Sequence, residues 1–298
     1  MRTVDDPYHE GSRAVQDRLG VRAVADHIGR SIGPGIREVA AAFLGLQPML
    51  VIGAADEAGR MWSSLLTGTP GFVRATGPRS IAVTGGPPAG DPLTAALATE
   101  GNDVGTIALD PRTRRRMRLN GTAAPTARGF VVAAEQVFAN CPKHLQRRTL
   151  LAPVPAQAGA VRRGRELTPD QQRFVRAADT FFIATAAADG TDASHRGGNP
   201  GFVRVTSPNE LCWQDYPGNA MFLTLGNLEG DPRAGLLFVD WSTGGTLQLT
   251  GTATTVFGAA GRTLRFTVTE TVETPHASPL RWSTPEYSPA NPPVRDSV

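Results

Sequence analysis

The residues best equipped for chemistry lie between Ser194 and Arg204, in the run Ser-His-Arg-Gly-Gly-Asn-Pro-Gly-Phe-Val-Arg. A hydroxyl, an imidazole and a guanidinium stand beside two glycines, and two apolar β-type segments, Phe181 to Ala187 and Phe202 to Val205, flank them. Arginine offers a charged fork that matches phosphate or carboxylate oxygens, and glycine lets backbone N–H groups come close to an anion. The chemistry this pattern suits is anion binding at a strand edge. As local structure alone, Gly-Gly-Asn-Pro is also an ordinary turn, because each of its residues is a turn former.

The stretch occurs twice. Residues 64–78 align with residues 194–208 at a fixed offset of 130 without a gap, and nine of the fifteen positions are identical. The same offset pairs Gly105 with Gly235, Asp110 with Asp240, Thr113 with Thr243, and Leu119, Gly121, Thr122 and Ala123 with Leu249, Gly251, Thr252 and Ala253. A period this long lies far beyond the roughly 20 to 50 residues of solenoid repeats, so it marks two copies of a whole domain. The chain is expected to be its own pseudo-dimer. Its 298 residues allow two domains with a core each, and the Pro-, Ala- and Gly-containing segment 151–164 reads as the linker, giving domains 1–150 and 151–298.

The elements that must position the candidate residues follow from periodicity and turn chemistry. Val15, Leu19, Val21, Val24 and Ile28 predict a helix within 12–30, and a second helix is expected over 34–44. Strands are expected at 49–54, 61–66, 71–76, 80–83, 103–109, 117–124 and 130–138, with a short helix at 92–98. In the second half Thr168-Pro-Asp-Gln171 forms a capping box for a helix over 169–178. Strands follow at 181–187, 192–196, 201–205, 210–213, 234–241, 246–254 and 264–271, and Asp215-Tyr-Pro-Gly-Asn219 caps a helix over 220–227. The expected class is mainly β with flanking helices, a barrel or sandwich in each half rather than a βαβ sheet.

Composition excludes several functions. The net charge of +3 comes almost wholly from arginine, since Lys143 is the only lysine, and the clusters Arg114-Arg115-Arg116 and Arg162-Arg163-Gly-Arg165 carry no interleaved aromatics. They read as solvated loops, and no nucleic-acid partner is expected. Two cysteines, Cys141 and Cys212, make neither a disulfide framework nor a zinc site. No apolar run reaches the roughly 18 residues of a membrane span, and no secretory leader opens the chain, so a soluble cytoplasmic protein is expected. Gly-x-Gly-x-x-Gly, Walker A, His-Glu-x-x-His and Gly-x-Ser-x-Gly patterns are absent. Ser194 beside His195 makes no catalytic pair, because neighbours on a strand diverge.

The second half resembles the pyridoxamine 5′-phosphate oxidase-like, FMN-binding split-barrel superfamily. The likeness is carried by residues 182–190, 194–202, Asp215-Tyr-Pro-Gly-Asn219, 225–238 and Leu247-Gln-Leu-Thr-Gly251, in that order. Residues 49–123 are a weaker copy, and Asn140-Cys-Pro-Lys143 resembles a segment of actinobacterial members. The resemblance implies two tandem split β-barrels forming an intrachain pseudo-dimer, with FMN in the seam. It also implies an oxidoreductase acting on a small organic substrate by hydride transfer through flavin N5, with NAD(P)H as a candidate donor.

On this resemblance Ser194, His195, Arg196, Gly197 and Gly198 would meet the FMN phosphate. Asp215, Tyr216, Gly218 and Asn219 would sit by a helix N-terminus with its positive dipole end. Trp62, Ser63 and Ser64 are the candidate contacts from the other half, and Cys141 and Lys143 are candidates on the substrate side. Leu65 and Leu66 replace His195 and Arg196 in the first half, and Asp215-Tyr216 has no counterpart there. The two sites are therefore expected to be unequal, with a single flavin per chain.

Blander readings stand beside these. His195 either caps a turn or hydrogen-bonds flavin or substrate, Cys141 is either a buried inert thiol or part of a reactive pair, and Trp213 and Trp241 read as core. Arg74 and Arg204, which recur, suit ion pairs with Asp110 and Asp240. True pyridoxamine phosphate oxidases carry an Arg-x-His pair near the C-terminus. Here the region reads Leu280-Arg-Trp-Ser283, which argues against vitamin B6 oxidation. No side chain stands out as a general acid or base. The alternatives are a deazaflavin (F420) reductase on the same barrel and a flavin or haem carrier without turnover. Homodimer formation is left open.

Overall fold

The computed structural model of the chain describes residues 6–155, 158–259 and 261–294. The first half contains α1 (Glu10–Arg18), α2 (Arg22–Gly29), α3 (Glu38–Gly45), β1 (Met49–Ala55), β2 (Met61–Thr67), β3 (Val73–Gly77), β4 (Ser80–Thr84), a 3₁₀ turn (Ala96–Ala98), β5 (Asn102–Asp110), β6 (Arg115–Thr126) and β7 (Gly129–Ala139). The second contains β8 (Arg162–Gly164), α4 (Pro169–Ala177), β9 (Thr180–Ala187), β10 (Gly190–Gly197), β11 (Val203–Ser207), β12 (Glu210–Gln214), α5 (Leu223–Gly230), β13 (Arg233–Val239), β14 (Thr246–Gly258) and β15 (Gly261–Thr274).

These strands form two antiparallel sheets, ordered β2-β1-β5-β6-β7-β4-β3 and β10-β9-β13-β14-β15-β12-β11, with β8 added beside β15. Replacing each strand of the first sheet by its sequence copy reproduces the second. The irregularities recur as well: the bulge at Asn120/Gly121 returns at Thr250/Gly251, and that at Ala75/Gly77 returns at Val205/Ser207. A bulge fixes both register and local twist, so the halves share a detailed geometry. The chain is mainly β, built as tandem split barrels.

The barrels meet face to face about a pseudo-twofold. Two glycines make this possible, since a Cβ on Gly105 of β5 would lie 2.4 Å from the Ala193 nitrogen of β10, and one on Gly235 of β13 would lie 2.5 Å from Cα of Trp62 on β2. Each thus lets a strand of one barrel rest on the backbone of the other. Met49, Val51 and Leu65 of the first half pack with Phe182, Leu237 and Val239 of the second in one buried cluster along this seam.

Helix boundaries depart from expectation where backbone conformation intervenes. The expected 12–30 helix is split into α1 and α2 at Gly20, whose φ of 66° ends the first. The Thr168/Gln171 capping box forms as expected. Helix α5 begins at Leu223 instead of Ala220, because Ala220 and Phe222 are left-handed, with φ of 58° and 54°. Gly218 and Asn219 therefore lie in a loop, not at the helix N-terminus. Part of the expected linker is the paired strand β8. Among the described residues no helix is long and apolar enough to cross a membrane.

Candidate functional site

Strand β10 ends in the Ser194-His-Arg-Gly197 run, and its last residues face a cavity of about 110 Å³ at the seam. Ser194, His195, Arg196 and Gly197 line it from β10, Asp215, Tyr216, Gly218 and Asn219 from the loop after β12, and Cys141 and Lys143 from the segment after β7. The first turn of α5, from Leu223 to Leu225, completes that side, so the positive end of a helix dipole faces the cavity although its cap is not the one expected.

Four expected residues lie elsewhere. Gly198 does not line the cavity; its N–H donates to the Asp179 carbonyl at 3.0 Å, and a Cβ there would strike the Phe202 ring. Trp62, Ser63 and Ser64 are fully buried on β2, on the other side of the pseudo-twofold. Ser64 is the copy of Ser194, so it marks the equivalent position and cannot also reach the first. That equivalent position is closed from within. Ser64 Oγ donates to Asp91 at 2.7 Å, and Gln248 Nε2 donates to Ser64 Oγ at 2.9 Å and to Asp91 at 3.0 Å.

The contacts across the seam come instead from β6. Arg116 and Arg118, two apart on a strand and so on one face, reach the cavity from the first half. Arg116 Nη1 lies 2.7 Å from His195 Nδ1, and its Nη2 donates to the Cys141 carbonyl at 2.6 Å. Arg118 forms a buried ion pair with Asp192, which also accepts from Asn120 at 3.1 Å. The expectation that the Arg114–Arg116 cluster is a solvated loop fails at Arg116. Arg114 does bind surface groups, pairing with Glu286 at 3.1 Å, but the chain then enters β6 and turns every second arginine inward. The expected Arg74 and Arg204 pairings are also replaced: Asp110 binds Arg112 at 2.8 Å, and Asp240 accepts from Ser242 and Thr243.

His195 and Arg196 both line the cavity although they are neighbours on β10. The Arg196 Nε lies 3.6 Å from Asp215, which is held on its other oxygen by Arg262 at 3.0 Å. Ser194 Oγ accepts from Thr224 at 3.1 Å. Trp213 is core, as expected, yet its edge also reaches the cavity wall.

The electrostatics are one-sided. Arg116, Arg118, Lys143 and Arg196 line the cavity against the single carboxylate of Asp215, while Asp192 pairs with Arg118 and Arg262 with Asp215 behind the lining. Nε of Arg116, Arg118 and Arg196 and Nε2 of His195 are buried with no hydrogen-bond partner among the described residues. Buried donors without acceptors are strongly disfavoured, and an anion in the cavity could accept from them. Burial, reinforced by Arg118 and Arg196, pulls the Arg116 guanidinium down to about 9. Burial and the same kind of cationic neighbours hold His195 well below the usual 6.5, so it is neutral. Among the described residues no group of His, Cys, Asp or Glu is placed to hold a metal ion.

The pyridoxamine 5′-phosphate oxidase family model matches residues 167–281. No curated protein matches the chain. Among solved structures, HupZ of Group A Streptococcus aligns over 34% of this chain and 90% of its own, at 15% identity and a TM-score of 0.28. The FAD binding protein from Mycobacterium smegmatis aligns over 39% of this chain and 98% of its own, at 14% identity and a TM-score of 0.27. The family match over residues 167–281 makes the second half of the chain similar to the pyridoxamine 5′-phosphate oxidase family, and both halves share one strand order.

Proposed function

We propose that the protein is an FMN-dependent oxidoreductase with one flavin site per chain, at the seam cavity between β10 and β6. The observation that carries this reading is the excess of cations, Arg116, Arg118, Lys143, Arg196 and Arg262 against Asp192 and Asp215, in a half that matches the pyridoxamine 5′-phosphate oxidase family. A phosphate monoester carries about −1.5 to −2 at neutral pH, a charge that this excess of cations can neutralise.

Arg116, Arg118 and Arg196 hold the phosphate, the Thr224 and Ser194 hydroxyls and the α5 N-terminus border it, and His195 offers its Nε2–H as a neutral donor. Bound FMN supplies hydride transfer at N5, with NAD(P)H as donor and a small organic molecule as substrate. The side chains bind and orient; none is assigned as a general acid or base. The cavity's 110 Å³ suits the phosphate end and falls short of the roughly 300–1,000 Å³ of pockets that hold whole ligands.

The test is a titration of the phosphate-free protein with FMN, read by quenching of flavin fluorescence, followed by anaerobic addition of NADPH or NADH and loss of the yellow absorbance. Saturation near one equivalent with bleaching supports the reading. Absence of FMN binding removes it, and binding without bleaching by either nucleotide reduces it to a flavin carrier.

A further inference from the structure

We propose a second ligand site, for an amphipathic organic anion, in the groove between α3 and the β6–β7 edge of the first barrel. The groove has a volume of about 530 Å³, within the range of small-molecule sites. Ile36, Ala40, Phe43, Met117 and Val137 make its apolar wall. Arg30, Arg37 and Arg115 stand at its margin, and no aspartate or glutamate is among its described lining residues. An apolar body is drawn to the wall by burial, and a carboxylate, sulfonate or phosphate end is drawn to the guanidiniums.

The duplication supplies an internal control. Helix α4 and strands β14 and β15 are the copies of α3, β6 and β7, and they enclose a corresponding groove of about 310 Å³. Its apolar floor is retained, Phe174 and Leu247 standing where the first has Phe43 and Met117. Its margin has the opposite sign: Asp170 replaces Val39, Glu273 replaces Ala139, and Gly245 replaces Arg115. The two grooves thus share an apolar floor and differ in the sign of the charge at their margins. Val39, 66% exposed, extends that wall outward. Arg116 contributes to the groove and to the seam cavity, so a ligand here lies beside the anion site. The proposal does not depend on the flavin reading, because the groove is complete without it.

The probe is octanoate, titrated by calorimetry into the full chain in phosphate-free buffer, with octan-1-ol and octyltrimethylammonium as controls. Octanoate should bind saturably and at least tenfold more tightly than either control. The charge-reversing pair Arg37→Glu and Arg115→Glu, both on exposed side chains, should bring octanoate to the level of octan-1-ol, and Ala40→Trp should block the groove for both. FMN titration of the same variants should be unchanged. Equal affinity for octanoate and the controls, no saturable binding, or binding indifferent to both sets of substitutions overturns the proposal, and none of these outcomes bears on the seam site.

Discussion

Arg116 of β6 places its Nη1 2.7 Å from Nδ1 of His195 on β10, tying the two barrels together across the seam. A guanidinium only donates, so Nδ1 accepts and the ring proton sits on Nε2, which has no partner among the described residues. The pairing also keeps the ring neutral, since a cation would face Arg116 and Arg196. Below the usual value of 6.5, an unfolded chain takes up a proton at His195 that the folded chain refuses. Stability is therefore expected to fall as pH drops through 6.5 toward 5, by at most about 1.4 kcal/mol per unit for this group. Urea unfolding of His195→Gln over that interval should show a shallower dependence, the remainder including His144, whose pKa is also lowered. An unchanged slope would mean that the ring is protonated in the fold.

The unmatched guanidiniums make anions stabilising. An anion held only by the folded state at a hundred times its Kd adds about 2.7 kcal/mol, and in a chain of this size each kcal/mol corresponds to a rise of about 2–4 °C in Tm. Inorganic phosphate should raise Tm by several degrees beyond an equal ionic strength of NaCl. In Arg116→Gln most of that increment should vanish while the Tm in NaCl stays level or rises, because a destabilised buried cation has been removed. An equal increment in the variant would place the anion elsewhere.

Arg118 behaves differently because its charge is already matched. Breaking a buried pair by removing one partner leaves the other uncompensated, at about 3–5 kcal/mol, so Arg118→Gln should be severely destabilised where Arg116→Gln is not. The double variant Arg118→Gln with Asp192→Asn should recover much of that loss, as measured by urea midpoints. Failure of the second substitution to rescue would show that the pair matters through packing, for which Arg118 over the Phe138 ring, at 4.8 Å, is the available contact.

What could be read from the residues alone divides along a physical line. The duplication makes the topology legible because turns recur at the same offset, so nearly every expected strand overlaps an observed one, although β1, β2, β9 and β13 are continuous buried runs that show no alternation. Left-handed backbone at Ala220 and Phe222 leaves no mark in residue type, and the start of α5 moves by three residues for that reason. The repeat points to Trp62, Ser63 and Ser64, but a pseudo-twofold sends the copy of β10 to the opposite site. The strand that does cross, β6, was legible in principle: Arg116-Met-Arg118 alternates charged and apolar residues, a strand pattern and not a loop pattern. Only the packing of β6 against β10 turns that alternation into an anion site.

Closure of the equivalent position supports one site per chain. Asp91 brings its own carboxylate to Ser64 and Gln248, and burial raises its pKa against the ordinary carboxylate value. An internal anion thus occupies the place that an external one would take, and Gln248 stands where the other side has Arg118. FMN titration should reach saturation at one equivalent per chain, and Ser64→Ala or Gln248→Ala should leave that number and the affinity unchanged. Two equivalents, or loss of binding in either variant, would put the ligand at the β2 side.

The seam glycines separate stability from binding. A Cβ at Gly105 would fall 2.4 Å from the Ala193 nitrogen and 2.5 Å from the Asp192 carbonyl carbon, and one at Gly235 would fall 2.5 Å from Trp62 Cα and 2.6 Å from the Met61 oxygen. All four are backbone atoms that no rotamer change can move aside, so Gly105→Ala and Gly235→Ala should each force the barrels apart and lower stability by about 1–3 kcal/mol. Their effects on the anion site should differ. Gly105 rests on the backbone directly before Ser194, His195 and Arg196, and shifting it moves β10 relative to Arg116. Gly235 rests on β2, beside the closed position. Phosphate stabilisation and FMN affinity should therefore weaken in Gly105→Ala and persist in Gly235→Ala at comparable loss of stability. If both variants lose binding equally, the site is tuned by the rigidity of the whole seam and not by the local register of β10 against β6.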